Sequence, residues 1–280
     1  GWLYTEPAKP FRPLGREGAR NAKEASSMLT GLTGIICAME SELRLYRQAL
    51  QFQREEKGLL FGSIGPSRVV LGLCGPGKVN AAICAQSLLL LAQPDRVINT
   101  GVAGALAPDL HTLDTVIASA VCQHDIDSTA LGDEPGLISG IEQVFLPCDP
   151  TLQKQLLQAA QELGFPARAG VIASGDQFLA DEARKRAIRQ LFGADCGEME
   201  TGPIGQACFL AGVPFAALRV LSDSGDGSAP MVYRTLVGKA SDQSSRILLR
   251  LLSCACHSLY LDKARAFAAA NALALSSPFP

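Results

Sequence analysis

Gly197-Glu198-Met199-Glu200-Thr201 and, further along, Arg219-Val220-Leu221-Ser222-Asp223 are the stretches from which the chain is best read. Two acids flanking a methionine stand at the head of a small-residue, helix-like run from Gly202 to Gly212. An apolar strand, Val213 to Leu221, follows and ends on the polar pair Ser222-Asp223. In an open α/β sheet, ligands bind outside the carboxyl ends of the strands. An acid just past a buried strand is therefore well placed to act on a small molecule.

Upstream, the same alternation repeats. Leu32 to Cys37 reads as a buried strand, and Ser41 to Leu50, apolar at Leu43, Leu45, Tyr46 and Leu50, as a helix. Lys57 to Ile64 and Arg68 to Cys74 read as a strand pair turning at Gly65-Pro66. Gly75-Pro76-Gly77-Lys78 opens a helix from Val79 to Ala92, broken by Pro94-Asp95. Arg96 to Thr100 is the next strand, with Gly101-Val102-Ala103-Gly104 as a tight turn after it. Thr115 to Val121 and Ala169 to Ser174 read as strands, and Leu152 to Leu163, Glu182 to Leu191 and Ala240 to Cys256 as helices. Residues 29–258 hold no repeat and no low-complexity linker. The pattern predicts a single α/β domain, a three-layer α/β/α arrangement around a central mixed, largely parallel sheet.

Composition narrows the function. Of 280 residues, 48% are apolar, 19% charged and 6% aromatic, which suits an aliphatic core. A formal charge of -2 argues against a nucleic-acid or anionic-membrane footprint, which needs clustered Lys and Arg. No run reaches the roughly 18 apolar residues of a membrane span. The nine cysteines form no C-x-x-C pair, and His111, His124 and His257 are not spaced with them as zinc ligands. They read as buried, reduced thiols, an odd count suited to the cytoplasm. Neither metal nor cofactor is expected. Gly1 to Ser27 (residues 1–28 with Met28, taken as the natural start) read as a disordered or artefactual extension, and residues 259–280 as a C-terminal tail.

Several clusters could carry chemistry. In Ala38-Met39-Glu40-Ser41-Glu42 the acids are either solvated residues of a helix's first turn or, in one case, a general base. Gly75 to Lys78 is either a weak phosphate cradle at a helix start or a tight turn, and it matches neither G-x-x-x-x-G-K-[ST] nor G-x-G-x-x-G. The glycines of Asn99 to Leu106 allow close backbone approach to a ligand. His124 in Gln123 to Asp127 reads first as a hydrogen-bonded structural residue. Phe178, just past Ser174-Gly175-Asp176-Gln177, is either core or a ring that stacks on a base. Every cluster falls at the carboxyl end of an expected strand.

With those segments in place, the chain from about Gly34 to Leu252 resembles the 5′-methylthioadenosine/S-adenosylhomocysteine nucleosidases, within the purine nucleoside phosphorylase/uridine phosphorylase superfamily. The matching segments are Gly34 to Glu42, Gly75 to Asn80, Asn99 to Leu106, His124 to Thr129, Ser174 to Phe178, Glu198 to Thr201 and Arg219 to Asp223. The resemblance implies a nucleoside phosphorylase-like fold, a nucleoside substrate and a homodimer, the latter using the apolar helix around Ala81 to Leu91. It implies that Glu42 activates water, that Asp223 protonates purine N7, and that Arg219 supports Glu42. Met199 and Glu200 become ribose contacts, Phe178 the stacking ring, and Glu198, Val102, Ala103, Gly104 and Ser222 further substrate contacts. Carboxylates near the ribose suit an oxocarbenium-like transition state. Val102 departs from the family's frequent Ser, which predicts altered water binding. Met231 and Tyr233 are expected near the 5′ substituent.

A phosphorylase of the same superfamily is the nearest rival. Purine phosphorylases resemble one another in carrying Arg where this chain has Asn99, and Glu42 would repel phosphate, so hydrolysis is preferred. A hydrolase of another purine nucleoside such as futalosine is a further alternative. So is a nucleoside-binding module without turnover, though such a module has no use for a water-activating acid.

Overall fold

The computed structural model of the chain describes residues 31–223 and 236–253. The N-terminal extension, the tail, Met231, Tyr233, Cys254, Cys256 and His257 lie outside the described residues.

The strands are β1 (Thr33–Cys37), β2 (Gln51–Glu56), β3 (Leu59–Ile64), β4 (Ser67–Leu73), β5 (Arg96–Ala105), β6 (Thr115–Gln123), β7 (Leu146–Pro147), β8 (Ala167–Ser174), β9 (Cys196–Glu198) and β10 (Phe215–Asp223). The helices are α1 (Glu40–Ala49), α2 (Lys78–Ala92), α3 (Pro150–Glu162), α4 (Glu182–Phe192) and α5 (Thr201–Ala211), with α6 over residues 236–253. All strands join one sheet in the order β10-β6-β8-β9-β5-β1-β4-β3-β2, with β7 on β6. Parallel pairings link β4, β1, β5 and β10, and also β6, β8 and β9. Antiparallel pairings attach β2 and β3, and join β6 to β10 and β9 to β5. Because β10 also pairs with β5, the strands β5, β10, β6, β8 and β9 close into a ring. The carboxyl ends of β5 and β9 meet in antiparallel register at Gly104 and Gly197, and β10 ends beside them with Asp223 opposite Gly104.

Helices cover both faces. Ala81, Ala85 and Leu88 of α2 and Ile204 and Cys208 of α5 pack into one core with Ile36, Val70 and Val97. Leu43 and Tyr46 of α1, Leu152 and Leu156 of α3, and Ile247 and Leu248 of α6 pack with Ile35, Ile98 and Leu218 on the other. Successive strand residues point to opposite faces, so Ile35 and Ile36 serve different cores. Local chemistry fixes the helix starts. Asp149 caps α3 by accepting from the N–H groups of Thr151 and Leu152, ahead of Pro150, and Asp181 caps α4 through Arg184 N–H.

The structure corrects several sequence expectations. Gly101 to Gly104 is not a turn: it continues β5 to Ala105, in register with Arg219 to Asp223 of β10. The strand expected over Lys57 to Ile64 begins at Leu59, because Lys57 and Gly58 both have positive φ and form the turn from β2. Strands β2, β7 and β9 were not expected. β10 extends past Leu221, so Ser222 and Asp223 lie within it, after a register shift between Leu221 and Asp223. Such bulges re-aim side chains at strand ends.

Candidate active site

Glu42 occupies the third position of α1, and its carboxylate turns back onto the start of its own helix. Oε2 accepts the N–H groups of Ala38 and Met39 at 2.9 and 3.0 Å. Oε1 accepts Val102 N–H from β5 at 3.1 Å. The second half of a capping box thus holds a buried carboxylate in the cleft. Gly101 makes this possible, since a Cβ there would stand 2.5 Å from Oε1. Burial raises the pKa of Glu42, and the Arg219 charge and the three N–H groups oppose it without reversing it. A carboxylate so placed is a better base than an exposed one.

Glu198 and Glu200, two residues apart, have opposite environments. Glu198 accepts from Ser174 Oγ, from Arg219 Nη2 at 2.7 Å, and from the N–H groups of Glu200 and Thr201 at 2.9 and 2.8 Å. It therefore caps α5 and neutralises Arg219 in one contact. Burial pushes its pKa up, but the Arg219 guanidinium and these hydrogen bonds outweigh that and leave it lowered. For Glu200, burial followed by the charge of Glu198 pushes the pKa up to about 8, against the N–H of Gly77, which it accepts at 2.8 Å. An acid of this kind is a frequent mark of a functional site.

Arg219, 2% exposed, lies beneath this pair. Its Nη2 also reaches Asn99 Oδ1, which accepts Thr201 Oγ–H too, and its Nη1 reaches Leu218 O. Arg219 does not line the cleft and makes no hydrogen bond to Glu42, and what it exerts on Glu42 is a charge effect from below. Its Nε–H has no acceptor among the described residues.

At the other end, Asp223 follows the bulge of β10, and Lys185 Nζ of α4 stands 3.3 Å from its Oδ1. Ser222 Oγ bonds Ala103 O, and Phe178, 52% exposed, stands at the rim. Glu42, Val102, Ala103, Gly104, Phe178, Glu198, Met199, Glu200, Ser222 and Asp223 all line one cleft, joined by Met39, Pro76, Gln177 and Leu179. The cleft has a cavity volume of about 110 Å³.

Two open readings are now decided. The N–H groups of Gly77 and Lys78 are taken by Glu200 and Asp176, so Gly75 to Lys78 is a carboxylate-bound helix start and not a phosphate cradle. His124 is buried away from the cleft against Gly175, and its imidazole nitrogens lack partners among the described residues, so it is structural without the expected side-chain hydrogen bond. Lys185 was missed. It lies in Glu182-Ala183-Arg184-Lys185-Arg186, which reads as a solvated helix face, and only its burial singles it out.

Fold and cleft together define an α/β enzyme with an acid-lined small-molecule site. The Phosphorylase superfamily model matches residues 33–253. The 5′-methylthioadenosine/S-adenosylhomocysteine nucleosidase of Halalkalibacterium halodurans is 37% identical over 224 residues, covering 78% of this chain and 96% of that protein. The crystal structure of the Neisseria meningitidis enzyme of that name, in complex with methylthio-immucillin-A, has a TM-score of 0.76 at 31% identity, covering 79% of this chain and 98% of that one. The futalosine hydrolase of Helicobacter pylori has a TM-score of 0.74 at 29% identity, covering 81% and 99%. The chain belongs to the 5′-methylthioadenosine/S-adenosylhomocysteine nucleosidase family of the phosphorylase superfamily.

Proposed function

We propose that this chain hydrolyses the N-glycosidic bond of 5′-methylthioadenosine and S-adenosylhomocysteine, releasing adenine and the 5′-thioribose. The observation that carries the proposal is one cleft lined by Glu42, Glu200 and Asp223. Water attacks C1′ as Glu42 takes its proton. The C1′–N9 bond breaks as the protonated carboxyl of Asp223 gives its proton to N7, so neutral adenine departs. Glu200 and Met199 hold the ribose, with the Glu200 carboxyl beside the sugar where positive charge grows. Phe178 stacks on the purine, while Val102 N–H and the helix start at Ala38-Met39 keep Glu42 aimed.

Hydrolysis is favoured over phosphorolysis because the N–H groups of Gly77 and Lys78 are taken by carboxylates, and the sugar side of the cleft presents Glu42 and Glu200. Release of adenine from methylthioadenosine in phosphate-free buffer, and again with phosphate, tests this. Adenine release independent of phosphate is expected; release only with phosphate overturns it. Futalosine belongs in the same assay, since a structure of 29% identity is a futalosine hydrolase.

The working unit is proposed to be a homodimer. Val79, Ile83 and Leu90 lie exposed on α2, whose other face is core, with exposed Phe209 on the adjoining α5. A helix apolar all round is buried on both sides in the working protein. Residues 29–258 are proposed as the catalytic domain, with residues 1–28 and 259–280 outside it; the family match over residues 33–253 supports that division. Unpaired buried thiols suit a cytoplasmic location.

A further inference from the structure

Lysine is rarely buried unless it is paired. Lys185 has a side chain only 3% exposed, sits on the second turn of α4, and stands 3.3 Å from both Asp223 Oδ1 and Glu182 Oε1. Its position is fixed from several directions. Asp181 caps α4 through Arg184 N–H and accepts Lys185 N–H on its backbone oxygen at 3.0 Å, while Glu182 precedes Lys185 by one turn of the same helix. The ammonium therefore approaches one oxygen of Asp223 along a set direction. The other oxygen, Oδ2, faces the strand that carries the cleft: a Cβ on Gly104 would lie 3.1 Å from Oδ2 and 3.6 Å from Oδ1.

We propose that Lys185 is a positioning residue for the acid end of the reaction: it ties down Oδ1 so that the Oδ2 side of Asp223 carries the proton to the leaving base. This rests on the proposed hydrolysis and extends it to a residue outside the cleft lining. The proton on Asp223 passes to N7 as the C1′–N9 electron pair leaves with the base, and the carboxylate left behind forms against an ammonium already in place. No reorganisation is then needed at the moment of charge separation. The role is specific to departure of the base and has no part in activating water, which occurs at Glu42.

That separation supplies the test. Lys185→Met and Lys185→Arg are compared with wild type on methylthioadenosine and on the 4-nitrophenyl glycoside of 5-methylthioribose, whose leaving group needs no proton. For Lys185→Met, kcat on methylthioadenosine falls about tenfold or more while KM stays within about twofold. Its rate on the nitrophenyl glycoside stays close to wild type, and Lys185→Arg recovers most of the loss. Equal losses on the two glycosides, a loss confined to KM, or an arginine variant no better than methionine overturns the inference. Lack of adenine release by wild-type enzyme would instead refute the proposed hydrolysis. Turnover by wild type with an unaffected Lys185→Met refutes only the role of Lys185.

Discussion

The two ends of the cleft hold their carboxylates by different means. Glu42 is held by main chain: N–H groups of Ala38, Met39 and Val102 surround it, and Gly101 gives it room. Asp223 is held on Oδ1 by a side chain, Lys185, at the end of a strand that has just shifted register. Any residue but proline supplies a backbone N–H, so the side chains at Ala38, Met39 and Val102 are not what holds Glu42, whereas Gly101 admits no Cβ beside it. At the Asp223 end a buried lysine is among the groups that hold the carboxylate. Between them, Glu198 and Glu200 show how one strand end supplies one acid with a lowered pKa and one with a raised pKa. Arg219 below and the hydrogen bonds around Glu198 make the difference.

The comparison is broken most severely at Glu42. Glu42→Gln keeps the shape and loses the base, so kcat falls about 10²–10⁴-fold. That loss appears on both methylthioadenosine and its 4-nitrophenyl counterpart, whereas Asp223→Asn loses turnover on the first and retains it on the second. Steady-state rates on the two substrates check this. Equal profiles for the two variants would mean that the ends are not separate.

Arg219→Met tests the cation that lies beneath Glu198 and acts on Glu42. Removing one partner of a buried pair leaves Glu198 charged and uncompensated, at a cost of about 3–5 kcal/mol. The denaturation midpoint by chemical unfolding reads this directly. An unchanged midpoint would mean that Glu198 needs no cation.

Glu200 contributes a pH dependence. Its folded pKa of about 8 lies above the ordinary 4.5, so the folded chain binds more protons than the unfolded one between those values. The associated stability is fully present below pH 4.5 and is lost as pH rises through about 8. The ligand-free melting temperature therefore falls with rising pH across that window, and Glu200→Gln makes the profile flatter. A steeper profile in the variant would reverse the assignment of Glu198 and Glu200.

The smallest effect is at the rim. Phe178→Leu removes ring stacking worth about 0.5–1.5 kcal/mol, a several-fold weakening of binding with kcat little changed. Titration with a non-hydrolysable adenosine analogue measures it.

Much of this was legible because strand ends gather chemistry. Glu42, Glu200 and Asp223 were each visible as acids beside apolar strands, and the switch-point rule placed them on one face before any coordinates. What was hidden is instructive. Gly101 to Gly104 read as a turn because glycines usually mark one, yet Gly101 is small because Glu42 lies against it. β2, sequence Gln51 to Glu56, is largely exposed at the sheet edge and so lacks the apolar alternation that signals a strand. Lys185 was lost in a run of charges, since burial of one lysine among exposed neighbours leaves no periodic trace. Arg219 was legible beside Glu42, but its hydrogen bonds to Asn99 and Glu198, residues distant in sequence, were not.

The most direct test of the central claim is the origin of the oxygen on the sugar product. Methylthioadenosine is turned over once in ¹⁸O-labelled water containing phosphate, and the sugar is analysed by mass spectrometry. One ¹⁸O on C1 of free methylthioribose, in step with adenine release, is the predicted result. An unlabelled sugar 1-phosphate would contradict it and make Glu42 something other than the activator of water.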